Sequence, residues 1–285
     1  MSTVLEVLNA TTAYFKKYNV PDARLDAQYI LACGLKMKRM DLYLNFDRPL
    51  TKEELDFLRP LVARRAKREP LQHIIGNTSF RGCEICCDKR ALIPRPETEM
   101  IIDLVQEFVS IKEGDVIADI GTGSGALAIA FAKEIPNAQV LASDVSPDAL
   151  ALAKSNAIKN EVEGSILFFE GDLLSAIPLE WKPNILIANL PYIPIGEQAL
   201  LQEEVRLFDP PLALFGGEDG LALIRKLLKQ TEGRLAPGAL LLLEIAPGQE
   251  DLLKKEAPLY PWLSYEKAHL DFMENIRFVE YRYQP

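Results

Sequence analysis

The chain has 285 residues, of which 48% are hydrophobic and 26% are charged, and its formal net charge is −9 at pH 7. These fractions are typical of a globular protein and exclude a largely disordered chain. The acidic balance disfavours nucleic-acid binding driven by electrostatics, which normally uses a basic domain, so no stable binding to nucleic acid is expected.

Signals for a membrane or an oxidising compartment are weak in this sequence. The longest strongly apolar run, residues 239–243, is far shorter than the ~20 residues that span a bilayer. Residues 1–20 lack the basic segment and apolar core of a secretory signal. Four cysteines in a chain of this length do not suggest a disulfide scaffold. We therefore expect a cytoplasmic protein that does not associate with membranes.

The N-terminal part of the chain has the apolar spacing of helices. Val4 and Leu8 fall on one face of a first helix. A second helix is expected between Pro21 and Gly34, since proline favours the start of a helix and glycine its end. No alternation typical of strands interrupts this part, so residues 1–72 are predicted to form a helical domain.

A third helix is predicted to begin at a capping box, Thr51–Glu54, and to extend to about Arg68. In a capping box the threonine side chain accepts a hydrogen bond from the amide three residues on, and the glutamate side chain returns one. The basic residues of this region are Arg59, Arg64, Arg65, Lys67 and Arg68. They form either a solvated face or a docking surface for an acidic partner. The second alternative makes residues 1–72 a substrate-docking domain.

Residues 73–95 are predicted to form a β-hairpin that links two domains, because short apolar stretches flank Gly76 and Gly82. The cysteines of this segment are Cys83, Cys86 and Cys87. They lack the spacing of a zinc site, and adjacent residues on a strand point to opposite faces. We expect them to be reduced, and we expect no metal.

After residue 96, predicted strands and helices alternate, which is typical of a parallel sheet with helices on both faces. The apolar strands are expected at 116–120, 140–143, 166–169, 185–188 and 240–245. Two further strands, at 264–268 and 277–283, have no long helix between them and should form a hairpin that adds an antiparallel strand at the sheet edge. Residues 96–285 are thus predicted to form one α/β domain.

A glycine-rich loop, Gly121–Gly125, follows the first of these strands. Glycine has no side chain, so the backbone can turn tightly and approach a ligand closely. Asp144 ends the second strand, where a carboxylate can accept hydrogen bonds from both hydroxyls of a ribose. The pairing predicts a nucleoside-containing cofactor. The loop fits both the dinucleotide fingerprint, which Gly121, Gly123 and Ala126 match, and the G-x-G-x-G loop of S-adenosylmethionine enzymes.

The tetrad Asn189–Tyr192 follows the fourth strand, at the edge where open α/β sheets bind ligands. Pro191 biases Leu190 toward an extended conformation, so the carbonyl groups of Asn189 and Leu190 are expected to point outward. Two such acceptors fit the two hydrogens of a planar NH2 group, and Tyr192 can stack on that plane. They would orient a poorly nucleophilic nitrogen and stabilise the positive charge that develops on methyl transfer. No strong general base is required.

Short motifs run in order along nearly the whole chain. They are Arg68–Gly76, Leu92–Glu99, Gly121–Gly125, Asp144, Gly216–Leu221 and Leu243–Ile245. This set resembles the PrmC/HemK family of protein-(glutamine) methyltransferases. The resemblance implies a class I S-adenosylmethionine-dependent methyltransferase, with a Rossmann-like sheet after an N-terminal helical domain and a β-hairpin linker. It also implies methyl transfer to the glutamine of the Gly-Gly-Gln motif in peptide-chain release factors, which would be the protein's partners.

The resemblance implies S-adenosyl-L-methionine as the cofactor and assigns residues to each part of the site. The implied cofactor-binding residues are Gly121, Thr122, Gly123, Ser124, Gly125, Asp144, Asp172, Leu173 and Asn189. Within this set Asp144 would hold the ribose, and Asp172 and Leu173 would flank the adenine. The implied catalytic residues, which would bind the glutamine amide, are Asn189, Leu190, Pro191 and Tyr192.

The tetrad departs from the family at Leu190, where the family usually has proline. Asn-Leu-Pro-Tyr also resembles the tetrad of ribosomal RNA adenine dimethyltransferases, so an adenine N6-methyltransferase acting on RNA or DNA is the alternative function. The net charge of −9 and the stretch Ile93–Glu99 favour the protein substrate. A nicotinamide-dependent oxidoreductase is disfavoured because no Tyr-x-x-x-Lys motif or histidine acid is evident near the predicted site. A non-catalytic binding module is the remaining alternative.

Two charged features near the predicted site have more than one possible role. Glu244 lies on an apolar strand, where a buried carboxylate needs partners. Those partners would be either nearby loop amides or the amino group of the cofactor. Arg95 and Glu97–Glu99 either close over the active site or form a purely structural link.

Overall fold

The computed structural model describes residues 2–285. Within that range the chain forms two compact units. The N-terminal unit contains the chain up to Asn77 together with Gln202–Phe208, and the second unit contains Thr78–Leu201 and Asp209–Pro285. The chain thus leaves the second unit after Leu201, adds a short segment to the N-terminal unit, and returns.

The N-terminal unit is helical. Its helices are α1 (Val4–Lys17), α2 (Ala23–Gly34), α3 (Asp41–Leu44), α4 (Lys52–Ala66) and α5 (Leu71–Ile75). The capping box predicted at Thr51 and Glu54 is present before α4, and its two hydrogen bonds measure 3.2 and 2.9 Å. Leu8, Ile30 and Leu58 are buried in the core between α1, α2 and α4. None of the helices in residues 2–285 is long and apolar enough to cross a membrane.

The basic run of this unit is only in part a solvated face. All four of its arginines have acidic partners inside the same unit, but Arg59, which pairs with Asp56, and Lys67 are exposed, whereas Arg65 and Arg68 are largely buried. Arg65 Nε lies 2.6 Å from Asp26 Oδ2 on α2, and Arg65 Nη2 lies 3.0 Å from Glu204 Oε1. Arg68 Nη2 lies 2.5 Å from Glu204 Oε2. Arg64 pairs separately with Glu69 at 2.6 Å. Glu204 comes from the inserted segment, whose helix is α9 (Glu203–Phe208). The role of residues 1–72 in substrate docking stays a prediction.

The predicted hairpin consists of β1 (Asn77–Phe80), whose first residue is the last of the N-terminal unit's main segment, and β2 (Cys83–Cys86). The remaining strands are β3 (Val116–Ile120), β4 (Gln139–Asp144), β5 (Ile166–Glu170), β6 (Ile185–Ala188), β7 (Leu240–Glu244), β8 (Leu263–Leu270) and β9 (Ile276–Tyr283). In the described chain these form a seven-stranded sheet of order β5-β4-β3-β6-β7-β9-β8. Strands β3 to β7 are parallel, and β9 is antiparallel to both β7 and β8.

This sheet confirms the predicted fold class and adds one detail. The C-terminal hairpin contributes two antiparallel strands, and the later strand, β9, lies inside against β7. The helices of this unit are α6 (Met100–Phe108), α7 (Ala126–Glu134), α8 (Pro147–Lys159), α10 (Ala222–Gln230) and α11 (Glu250–Glu256). One apolar cluster includes Ile102 of α6 and Phe131 of α7, and another includes Leu227 of α10.

The strand order changes direction between β3 and β6, because the chain adds β4 and β5 on one side of β3 and later strands on the other. In open α/β sheets ligands bind beyond the carboxyl ends of the strands at such a point. The glycine loop after β3 and the tetrad after β6 therefore meet at one edge of the sheet.

Candidate active site

A cavity of about 300 Å³ opens at this edge, within the second unit. Its volume is in the range of small-molecule pockets. The predicted site residues that line it are Gly121, Gly123, Asp144, Asp172, Leu173, Asn189, Leu190 and Pro191. The other predicted residues, Thr122, Ser124, Gly125 and Tyr192, support the wall from behind through contacts described below.

The glycine loop forms one wall of the cavity and is tied to the end of β4. The backbone amides of Gly121 and Thr122 both donate to the carbonyl of Ser143, at 2.8 and 2.9 Å. Gly121 and Gly123 have φ values of 75° and 55°, a left-handed conformation that favours glycine. A Cβ on Gly121 would lie 2.8 Å from Leu190 Cδ2. The loop therefore needs glycine both for its turn and for its close approach to the tetrad.

Asp144 is held by the backbone on either side of it. Its Oδ2 accepts from the amide of Gly123 at 2.9 Å, and its Oδ1 accepts from the amide of Ser146 at 2.9 Å. Burial raises the pKa of Asp144 above its usual value, although these amide hydrogen bonds oppose the rise. Each carboxylate oxygen keeps a further lone pair. The residue can therefore accept hydrogen bonds from a diol in the cavity.

Thr122 and Asp119 form a buried pair beneath the loop. The Thr122 hydroxyl donates to Asp119 Oδ2 at 2.6 Å, so this predicted site residue supports the loop. Burial raises the pKa of Asp119 to about 7. The sequence analysis did not single out Asp119, although its position directly before the glycine loop was a usable signal.

Ser124 and Gly125 anchor the loop to its surroundings. The Ser124 carbonyl accepts from Asn156 Nδ2 at 2.9 Å, and Asn156 Oδ1 accepts from the amide of Cys86 at 2.9 Å. Asn156 thus connects the glycine loop to the hairpin strand β2. Gly125 has a φ of 82°, and a Cβ there would lie 2.9 Å from Ala153 Cβ on α8. Both residues fix the shape of the loop.

Asp172 and Leu173 line the cavity beyond β5. Leu173 has a φ of 54°, a strained conformation for a residue with a side chain. Its carbonyl accepts from the Ser143 hydroxyl at 3.2 Å, which ties this turn to β4. Asp172 Oδ2 pairs with Lys226 Nζ at 2.6 Å.

The tetrad forms the opposite wall, and a hydrogen-bonded chain runs behind it. Asn189 Nδ2 donates to Thr98 Oγ1 at 3.0 Å, and Thr98 Oγ1 donates to Glu244 Oε2 at 2.8 Å. The Tyr192 hydroxyl donates to Glu244 Oε1 at 3.3 Å. Leu190 is buried against the glycine loop. The NH2 of Asn189 is therefore occupied by Thr98.

Glu244 is the centre of this chain and lies at the end of β7. Burial raises its pKa to about 7, whereas Thr98, Arg277 and Tyr192 favour its charged form. Its partners are two hydroxyl groups rather than the loop amides or cofactor amino group considered from the sequence. Thr98 lies in the predicted stretch Glu97–Glu99, but its contact with Asn189 was missed because the two residues are 91 positions apart in the chain. The sequence signal for Thr98 was its place in the motif Leu92–Glu99.

Arg95, from the same motif as Thr98, pairs with a buried carboxylate beside the cavity. Its Nη2 lies 3.2 Å from Asp209 Oδ2. Burial raises the pKa of Asp209 to about 6, and Arg95 opposes the rise. The next residue, Pro210, lines the cavity. The stretch therefore supports the site at two points, through Arg95 and through Thr98.

Comparisons with known proteins agree with this architecture. A family model described as the PrmC N-terminal domain matches residues 6–76, and one described as ribosomal protein L11 methyltransferase (PrmA) matches residues 95–199. The chain is 39% identical over 249 residues to a release factor glutamine methyltransferase of Geobacter sulfurreducens, across 87% of this chain and 86% of that protein. It is 36% identical over 277 residues to the Deinococcus radiodurans protein of the same name, across 97% of each.

A solved structure is similar in fold to part of this chain. It is the N-terminal domain of human METTL16 in complex with SAH, with a TM-score of 0.51 and 18% sequence identity. The match covers 71% of this chain and 76% of that chain.

Proposed function

Because the chain belongs to the release factor glutamine methyltransferase family, we propose that it methylates the glutamine side-chain amide in the Gly-Gly-Gln motif of peptide-chain release factors. The protein is an S-adenosylmethionine-dependent methyltransferase with a class I fold. The observation that carries the proposal is the position of the Asn189 amide. Its NH2 is bound to Thr98, so its carbonyl oxygen is available to the cavity that Gly121 and Asp144 also line.

The residues of the cavity fit the cofactor. Gly121 and Gly123 line the cavity without side chains, so a ligand can approach the backbone of the loop closely. Asp144 would accept the ribose hydroxyls, and Asp172 and Leu173 would flank the adenine. When bound, S-adenosylmethionine supplies an electrophilic methyl group on a positively charged sulfur.

The chain's own contribution is to hold the acceptor nitrogen. An amide nitrogen is a weak nucleophile because its lone pair is delocalised into the carbonyl group. Asn189 Oδ1 and the Leu190 carbonyl oxygen would each accept one N–H of the glutamine NH2, which fixes its orientation and stabilises the charge that develops on nitrogen. The nitrogen gains a methyl group and releases a proton to solvent, so no side chain needs to act as a strong base.

Incubation of the protein with S-adenosylmethionine and a purified release factor, followed by mass spectrometry, tests this function. We expect an added mass of ~14 Da, one methyl replacing one hydrogen, on the glutamine of the Gly-Gly-Gln motif. RNA and DNA substrates are assayed in parallel with a labelled methyl group. Transfer to nucleic acid alone would replace the proposed function with that of an adenine methyltransferase.

Asn189→Ala tests the role of the tetrad. Loss of one acceptor that stabilises transition-state charge should lower kcat by on the order of 10²- to 10³-fold. Affinity for S-adenosylmethionine should change by much less, because other residues hold most of the cofactor. Asn137→Ala, at an exposed asparagine of the same unit, is the matched control and should retain full activity. Full activity in Asn189→Ala would contradict the mechanism.

A further inference from the structure

Two buried side chains, Thr98 and Glu244, lie behind the tetrad, and Thr98 links Glu244 to the Asn189 amide. Thr98 is 6% exposed and Glu244 is 2% exposed, so both side chains are satisfied by protein contacts and not by bulk water. They come from segments far apart in the sequence, yet they form one continuous series of hydrogen bonds with Asn189.

When Glu244 is ionised, the hydrogen bonds among Asn189, Thr98 and Glu244 can have only one set of donors and acceptors. A carboxylate can only accept hydrogen bonds, and a hydroxyl has a single proton to donate. The Thr98 proton therefore goes to Glu244 Oε2, 2.8 Å away. The Thr98 oxygen can then only accept, so the Asn189 group 3.0 Å from it must be the NH2. The Asn189 carbonyl oxygen is left to face the substrate.

We propose that Thr98 and Glu244 are positioning residues that set the direction of the Asn189 amide, so that its carbonyl oxygen and not its NH2 meets the NH2 group of the substrate. The inference rests on the proposed function and extends it to residues that do not touch the reacting atoms. An Asn189 amide turned by 180° would bring two NH2 groups together, which removes an acceptor and adds a repulsive contact.

Protonation of Glu244 would remove this control. A neutral carboxyl group can donate to Thr98, which frees the Thr98 proton to bond the Asn189 carbonyl and makes the turned amide equally well bonded. Burial raises the Glu244 pKa to about 7. The charged and titratable groups around it are Arg277 of β9 and Tyr192, which favour the carboxylate, and Glu97, which disfavours it. Methyl transfer should therefore increase as the pH rises through about 7.

Thr98→Val and Thr98→Ser test the positioning role. Valine keeps the shape of threonine but provides neither acceptor nor donor, so we expect kcat to fall by on the order of 10- to 100-fold. The KM for S-adenosylmethionine should stay within about twofold, since Thr98 acts through Asn189. Serine restores the hydroxyl and should recover most of the activity. The matched control is Thr231→Val, another buried threonine of the same unit whose hydroxyl donates to the Leu228 carbonyl at 2.7 Å.

Glu244→Gln provides the second measurement. A glutamine amide at this position has no ionisation near neutral pH and can donate to Thr98 as a protonated Glu244 can. The kcat of the variant should therefore stay near the value of the wild type at acid pH and should lose the rise through pH 7 that the wild type shows. Thermal unfolding of every variant separates loss of fold from loss of positioning.

Several outcomes would overturn the inference. These are wild-type kcat in Thr98→Val, failure of Thr98→Ser to recover activity, and an unchanged acid limb in Glu244→Gln. The kinetics are measured on whichever acceptor, release factor or nucleic acid, takes up the methyl group. Transfer to nucleic acid would therefore refute the proposed function while the positioning role is still measured.

Discussion

Asp144 shows how one carboxylate both shapes a loop and is available to a ligand. It accepts backbone amides from Gly123 and Ser146 and also lines the cavity. A neutral side chain of the same size would keep the packing but would lose charge-assisted hydrogen bonds, which are stronger than neutral ones.

Asp144→Asn should therefore weaken S-adenosylmethionine binding. A hydrogen bond to a charged group contributes roughly 1.5–3 kcal/mol, so we expect the Kd to rise by about tenfold or more. Isothermal titration calorimetry measures the change. Asp148→Asn, at an exposed carboxylate in the first turn of α8, is the control and should leave the Kd unchanged. Equal Kd values for the two variants would show that Asp144 does not hold the cofactor.

Two separate features require glycine at position 125, the left-handed backbone conformation and the close approach of Ala153. Gly125 has a φ of 82°, and a Cβ would lie 2.9 Å from Ala153 Cβ. Gly114 has a similar φ of 85° but no atom within 4 Å of an added Cβ. Gly125→Ala should lower the free energy of unfolding by on the order of 2–4 kcal/mol, from backbone strain and overpacking together. Gly114→Ala should lose only the backbone part, on the order of 1 kcal/mol. Urea denaturation compares them, and equal losses would exclude the contact with Ala153.

At the scale of elements, apolar runs were sufficient to predict the strands of the parallel sheet. All residues of β6 and all but the first of β3 are buried, and both strands are bounded by turn-forming sequences, so a short continuous run indicates a strand there. The helices α3, α5 and α9 were not predicted, because a helix of four to six residues has too few turns to display a period. The internal place of β9 depends on pairing between distant segments, which local sequence does not encode.

The parts of the candidate site that directly follow strands were also predictable from the sequence. The glycine loop, Asp144 and the tetrad each follow a strand, and the location of each is fixed by local sequence. Thr98 and Glu244 contact each other across 146 residues of chain. Such a contact arises from tertiary packing, so sequence patterns could mark Glu244 as an unexplained buried carboxylate but could not identify its partner.

The contact between α9 and the arginines of the N-terminal unit leads to a stability prediction. Burial favours neutral Glu204, but the hydrogen bonds from Arg68 and Arg65 hold its pKa below the usual value. The side chain of Glu204 is 13% exposed, whereas that of Glu203, which pairs with Arg68 Nη1 at 3.2 Å, is 50% exposed. Glu204→Gln should lower the free energy of unfolding by on the order of 2 kcal/mol, because two arginines lose a charged partner.

Glu203→Gln is the matched control for that measurement. Exposed ion pairs contribute about 0–1 kcal/mol, so its effect should be small. Thermal and urea unfolding of the full chain compare the two variants. A loss as large in Glu203→Gln as in Glu204→Gln would mean that burial of the ion pair is not what stabilises this contact.

At the scale of the whole molecule, buried carboxyl groups predict how stability depends on pH. The pKa values of Asp119 and Glu244 are about 7 and that of Asp209 is about 6, all above their values in an unfolded chain. Carboxyl groups with lowered pKa values, such as Glu204, act in the opposite direction, but they titrate mainly below about pH 5. Between about pH 5 and pH 7 the three groups with raised pKa values bind more protons in the folded state than in the unfolded state, so the free energy of unfolding should fall as the pH rises. For Glu244, a rise from 4.5 to about 7 corresponds to on the order of 3 kcal/mol.

Chemical unfolding at pH 5 and pH 8 tests this dependence. The wild type should be more stable at pH 5, and the difference should be smaller in Glu244→Gln, which removes one of the titrating groups. Stability that increases from pH 5 to pH 8 would contradict the prediction. If Glu244 also positions Asn189, the pH range in which activity increases is the range in which the fold becomes less stable.

The insertion of Gln202–Phe208 into the N-terminal unit means that this unit is not a detachable module. A truncation that removed residues 1–72 would also remove Arg65 and Arg68, leaving Glu204 without its partners on the polypeptide that follows the tetrad. Lower activity of such a fragment would report this damage together with any loss of docking. Chimaeras that exchange the N-terminal unit between relatives should therefore carry two gene segments, one ending at Asn77 and one encoding Gln202–Phe208, so that the ion pairs are inherited intact.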